Sequence, residues 1–168
     1  MAFPSPDQIR FARAAVDAGA ACIIGHHPHC IQGLERYNGG LIFYSLGNFV
    51  FDFWQKRFRF SLTIRLNRRE DGSLEAVSLP IWINRYYQPC PVEGGWRGRE
   101  IGRHLESITR QIPRFARMGM GEYRSLAASA MRRVRFGNRL FFFANLWRFP
   151  PRFILPALRT VAARHRRA

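Results

Sequence analysis

Lysine is almost missing from this 168-residue chain. Lys56 is the single exception among 27 basic residues, and the rest are arginine, whose planar guanidinium favours bidentate pairing with carboxylate or phosphate. Cysteine is scarce too. Cys22, Cys30 and Cys90 are odd in number and form no Cys-x-x-Cys pair, which argues against a disulfide framework and against a zinc ribbon. The longest apolar block near the end, "LFFFANL", is far too short to span a bilayer. The opening "MAFPSPDQ" has no basic patch followed by an apolar stretch, so no targeting segment is expected. Acidic residues run short in one half only. Residues 97–168 hold 17 arginines against 3 glutamates, whereas residues 1–96 hold 10 basic against 8 acidic residues.

What is present is enough apolar material for a core. With 47% hydrophobic and 14% aromatic residues, a chain disordered throughout is excluded, and the length suits one domain with or without an appendage. No internal repeat or low-complexity linker divides it. "SPDQIRFARAAVDAG" reads as a helix: Ser5 as N-cap, Pro6 at the first position, Gln8 closing a capping box. Ile9, Ala12, Ala15 and Val16 form its apolar stripe, and Gly19 supplies a left-handed stop. "ACII" follows as a short strand expected to be buried on both faces, and then comes a Gly-led loop. "IQGLERYNGGLIFYSLG" is a hairpin turning at Asn38-Gly39. "FRFSLTIRL" alternates, with Phe58, Phe60, Leu62, Ile64 and Leu66 on one face, and "LEAVSLPIWI" is a further strand across the "NRREDGS" turn. Beyond about Gly98 the spacing becomes helical, at Ile101, Leu105 and Ile108. Pro113 interrupts it, "GEYRSLAASAMRRVRF" begins another helix, and Ile154, Leu158 and Val161 mark a basic amphipathic tail.

The loop "GHHPHC" concentrates three of the five histidines, His26, His27 and His29, at the carboxyl end of a strand, where α/β folds place their ligands. A residue before proline is pushed towards extended backbone, so His27-Pro28-His29 is expected to be extended, with His27 and His29 on one side and His26 facing elsewhere. Two neutral imidazoles on one edge grip a divalent transition metal such as Mn, Zn or Fe. Gly25 removes a side chain where backbone and metal must approach. Two ligands hold a metal poorly, so partners must come from elsewhere; Cys30 is a soft donor beside them. The plain alternative is a set of surface histidines bonded to nearby carbonyls. In "FYSLGNFVFD", Gly47 and Asn48 suit a sharp turn, Asn48 can bond across to the histidine loop, and Asp52 is a candidate hydrogen-bond partner for a histidine. His104 and His165 stand among arginines and are expected to be solvated.

Over residues 3–84 these blocks, "GHHPH…QG" and "FYSLGNFVFD" above all, resemble the end of the conserved domain of CapA-type proteins of bacterial capsule and poly-γ-glutamate biosynthesis, a domain similar to calcineurin-like metallophosphatases. The resemblance implies that His27 and His29 belong to a Gly-His-x-His block supplying two imidazoles to a dinuclear centre, with His26 as the alternative register. It also implies acidic, asparagine and histidine blocks upstream that have no counterpart in this chain. The expectation is therefore a carboxyl-terminal portion of a longer protein, silent in catalysis unless a separate amino-terminal half completes it. Cell-envelope or membrane association follows from the same resemblance.

The expected architecture is α/β: an α+β sheet fragment of a metallophosphatase-like sandwich over residues 1–96, followed by an Arg-rich α-helical extension over 97–168. That extension has three candidate partners: an anionic membrane surface, suited by phenylalanines interleaved with arginines; a nucleic acid held by its phosphates; and an anionic polypeptide such as poly-γ-glutamate. No recognised nucleic-acid motif is present, which weighs against sequence-specific binding. An Arg-rich solvated surface over an ordinary helical core is the plain alternative.

Overall fold

The computed structural model describes residues 3–52, 55–148, 150, 152 and 154. The chain is mixed α and β, with two small sheets. It divides into two compact units, Met1–Leu126 and Ala127–Ala168.

The first helix, α1 (Pro6–Asp17), starts where its punctuation requires. Ser5 Oγ accepts from the Gln8 amide at 3.1 Å, and Gln8 Oε1 accepts from the Ser5 amide at 2.9 Å. Such a reciprocal cap stabilises a helix by about 1 kcal/mol. Ile9, Ala12 and Val16 are buried, and Gly19 (φ 104°) carries the chain out of the helix.

The first sheet has the order β1-β3-β2, from β1 (Cys22–Ile24), β2 (Ile31–Tyr37) and β3 (Gly40–Leu46). β1 runs parallel to β3, and β2 pairs with β3 antiparallel. Asn38 and Gly39 both have positive φ, 44° and 80°, as a two-residue hairpin turn with the right twist demands. β1 is an edge strand and is not buried on both faces as expected; Ile24 is 45% exposed. β3 takes the central position instead, because Leu41 to Tyr44 can pack on both sides.

The second sheet is antiparallel, β4-β5-β6, from β4 (Phe60–Arg68), β5 (Leu74–Ile83) and β6 (Pro89–Pro91). An isolated bridge, Gly47 to Ser61, links the two sheets, and Ser61 Oγ donates to the Leu46 carbonyl at 3.0 Å. Along β4 the expected apolar residues Phe60 and Leu62 are buried, but Ser61 between them is buried too, at the bridge to Gly47, and Leu66 is exposed.

Two helices complete this unit: α2 (Trp96–Thr109) and α3 (Ile112–Arg117). Ile101 and Ile108 of α2 are buried, and a Cβ at Gly98 would stand 2.1 Å from the Val92 carbonyl oxygen. Thr109 Oγ1 accepts from the Leu34 amide at 3.2 Å, at the bulge where Gly33 (φ 94°) lets β2 pass under Ile108 and Ile112. The boundary expected at 96/97 thus falls inside the first unit, because α2 and α3 supply its core. One cluster joins Ile9, Val16, Ile42, Ile112 and Phe115; another joins Ile31, Phe60, Leu62, Trp82 and Ile101. Each fully buried isoleucine contributes about 1.5–3 kcal/mol.

The fourth helix, α4 (Met120–Ala144), runs from the first unit into the second, and a 3-10 turn, Leu146–Arg148, follows. Among its described residues none is buried. Leu158, Val161 and His165, singled out in the tail, lie outside the described residues.

Candidate metal-ligand loop

β1 ends at Ile24, and the chain must reverse within residues 25–30 to enter β2, because β1 is parallel to β3 and β2 antiparallel to it. Gly25 makes the departure possible. Its amide donates to the Phe43 carbonyl at 2.7 Å, and a Cβ there would stand 2.4 Å from the Tyr44 carbonyl oxygen. The neighbouring strand therefore requires a glycine at position 25.

The reversal overrides the extended backbone expected of His27-Pro28-His29. His27 has φ 93° and His29 φ 60°, a region that non-glycine residues seldom occupy. A straight Pro-flanked segment would carry the chain away from β2, so tertiary closure wins over the local preference. The two rings still come together, with centroids 6.1 Å apart and planes tilted by 44°. His27 is exposed and His29 half-buried.

Asn48 holds this conformation. Its amide nitrogen donates to the carbonyls of His29 and Phe58, each at 3.0 Å. Two carbonyl acceptors fix which end of the side-chain amide is nitrogen. The other end, Oδ1, lies 2.9 Å from His29 Nδ1 and can only accept. Nδ1 must then carry the proton, and in the neutral ring Nε2 carries the lone pair. Asn48 is 5% exposed, so water competes little for these bonds. The Phe51 ring packs against His29 at 4.7 Å, a contact that sequence reasoning missed although an aromatic three places after Asn48 was in view.

His26 faces elsewhere, into an open cleft of about 350 Å³ between the two sheets, with Asn48, Ser61 and Thr63 among its lining. Ser61 and Thr63 occupy the polar positions of the β4 alternation, which was the available signal for them. Asp52 does not partner a histidine among the described residues. It is exposed and lies in a separate depression with Val50, Phe51 and Tyr87. Cys30 is buried, and burial pushes its thiol up, away from the thiolate a metal requires. His104 is half-buried and meets the Phe60 ring edge-on at 5.5 Å, contrary to the solvated position expected. Burial lowers its affinity for a proton, and the Glu100 charge offsets part of that.

Among the described residues no group of three or more His, Cys, Asp or Glu side chains converges on one point. The donors that do come together are the His27 and His29 imidazoles. Their chemistry fits a borderline transition ion, but as two ligands where a stable site takes four.

Known proteins match this part of the chain. The family profile described as "Bacterial capsule synthesis protein PGA_cap" matches residues 1–53. "Capsule biosynthesis protein CapA" of Bacillus anthracis is 41% identical over 106 residues, 63% of this chain and 26% of that one. "PGA biosynthesis protein CapA" of Bacillus subtilis (strain 168) is 44% identical over 90 residues, 54% of this chain and 23% of that one. "Uncharacterized protein y4sH" of Sinorhizobium fredii is 47% identical over 49 residues, 29% of this chain and 11% of that one. The matched stretch spans about a quarter of the length of the two Bacillus relatives.

Proposed function

We propose that this chain, which belongs to the CapA family of bacterial capsule synthesis proteins, contributes the His27–His29 loop to a divalent-metal centre used in capsule or poly-γ-glutamate biosynthesis. The remaining ligands belong to the rest of a CapA-type chain, of which this stretch spans about a quarter, and the stretch by itself is catalytically silent. The observation that carries the reading is the clamp of Asn48 on His29. By accepting from Nδ1–H it presents the Nε2 lone pair as a ligand atom, the arrangement by which a neighbouring group commonly orients a metal-bound histidine.

In this reading His29 and His27 are the ligands, His26 is held in reserve at the cleft, and Asn48 is the positioning residue. A bound ion would supply Lewis-acid polarisation of an ester oxygen and a hydroxide at neutral pH. The chain's own part is to bring two imidazoles together on one loop. Among the described residues no carboxylate joins them to bridge a second ion, and the loop is assigned part of a centre.

Metal content of the purified chain, loaded with Mn²⁺, Zn²⁺ or Fe²⁺ and desalted, tests this. Weak binding by the wild type, abolished in His27→Ala/His29→Ala and strengthened by adding the amino-terminal part of a CapA protein, is expected. Equal metal retention by the wild type and the double variant overturns it.

A further inference from the structure

We infer that the face of α4 bearing Phe136, Leu140 and Phe143, with Trp147 just beyond the helix, seats this part of the chain on an anionic lipid bilayer; the inference does not rest on the metal loop. Positions 136, 140 and 143 are four and three apart, so at 3.6 residues per turn they stack on one side of the helix. Their exposures are 64%, 55% and 48%, and Trp147 is 80% exposed. Three large apolar side chains in one exposed row are a surface that water does not favour.

Charge identifies the occupant. Arg132 and Arg139 flank the row on one side and Arg133 on the other, all three exposed. No acidic residue follows Glu122 in the sequence, so this face is of one sign. A soluble polyanion satisfies the guanidinium groups but offers nothing to cover the phenyl rings. A second copy of the helix covers the rings but sets arginine against arginine. The headgroup layer of an anionic bilayer offers phosphate to the guanidinium groups at the depth where its acyl chains receive the rings. No helix among the described residues is long and apolar enough to cross a membrane. With Arg132, Arg133, Arg135 and Arg139 along it, α4 lies in the plane of the surface.

Co-sedimentation of the full chain with vesicles tests this, using phosphatidylcholine alone and phosphatidylcholine with roughly one-third phosphatidylglycerol, from low salt to about 0.5 M. The wild type is expected to prefer the anionic vesicles and to keep part of its binding at high salt. Phe136→Ser/Leu140→Ser/Phe143→Ser should weaken that binding by about tenfold or more, each ring lost removing apolar burial, with unchanged far-ultraviolet circular dichroism. Arg132→Gln/Arg133→Gln should remove most of the preference for anionic lipid. A blue shift of Trp147 emission on binding, isolated by comparison with Trp147→Phe, supports the seated geometry. Undiminished vesicle binding by the triple serine variant overturns the inference. So does binding to soluble poly-γ-glutamate as tight as to vesicles, or a dimer that the triple variant dissociates in a chain that ignores vesicles.

Discussion

Arg13 on α1 and Arg133 on α4 occupy opposite settings. Arg13 Nη2 donates to Glu35 Oε1 at 2.6 Å, the Tyr44 hydroxyl donates to Glu35 Oε2 at 2.6 Å, and the Arg13 guanidinium lies over the Tyr37 ring. Burial and the bond to Glu35 push the Tyr44 hydroxyl far up, so it remains a donor to Glu35. Arg133 is exposed on a helix with no acidic residue after Glu122. Apolar residues divide in the same way: Ile42 is 0% exposed and Phe136 is 64%. In the first unit Arg13 and Ile42 serve the fold, while on α4 Arg133 and Phe136 face outwards. Composition alone does not separate a fold from a surface. What separates them is whether opposite charge and complementary apolar faces lie within reach.

The sharpest way to break this contrast is Ile42→Ala, which should destabilise the chain by about 2–5 kcal/mol through a cavity in the first core, measured by urea unfolding. A loss under about 0.5 kcal/mol would mean that the first unit is no better packed than α4. Next in size is Asn48→Ala. It removes the partners of two carbonyls and of His29 Nδ1, and should cost roughly 1–3 kcal/mol. Nitrogen NMR should show His29 as the Nδ1–H tautomer in the wild type and lose that signature in the variant. An unchanged tautomer would deny Asn48 its positioning role.

A smaller effect is expected from His104. Its proton affinity is lower in the folded chain than in the unfolded one, so the unfolded state binds more protons below about pH 6.5. Stability from this group is complete above that value and declines as the pH falls towards the folded pKa. Thermal midpoints from pH 8 to about 5 should fall on acidification, and His104→Phe should flatten that slope. An identical slope in the variant would assign the acid sensitivity to other groups. Smallest of all, Phe136→Ser should change stability by less than about 0.5 kcal/mol, since nothing is buried there to lose. A large loss would show that the ring serves the fold and sharpen the contrast away.

Much of the local structure was legible in the sequence. The Ser5–Gln8 cap, the Asn38-Gly39 turn and the break at Pro113 each depend on residues within a few positions, and α1, the hairpin and the start of α3 follow from them. The grouping of His27 with His29 was legible as well, although the extended backbone expected to produce it is not the one found. Pro28 acts on its predecessor by a local clash, whereas the reversal from β1 into β2 is set by the pairing of both with β3. The edge position of β1 and the half-buried place of His104 depended on neighbours far along the chain, Tyr44 and Phe60 among them, and periodicity does not name such neighbours.

By itself the sequence determined most of the segments that become helix or strand, though not β6, that charge is unequal along the chain, and that three histidines share one loop, because each of these is a property of adjacent residues. Only the tertiary structure decided that Asn48 Oδ1 accepts from His29 Nδ1, that His26 turns into the cleft between the sheets, and that α2 belongs to the first core. Those outcomes rest on contacts between residues 19 to 70 positions apart, and a chain specifies such contacts only once its core has closed and excluded water from the bonds between them.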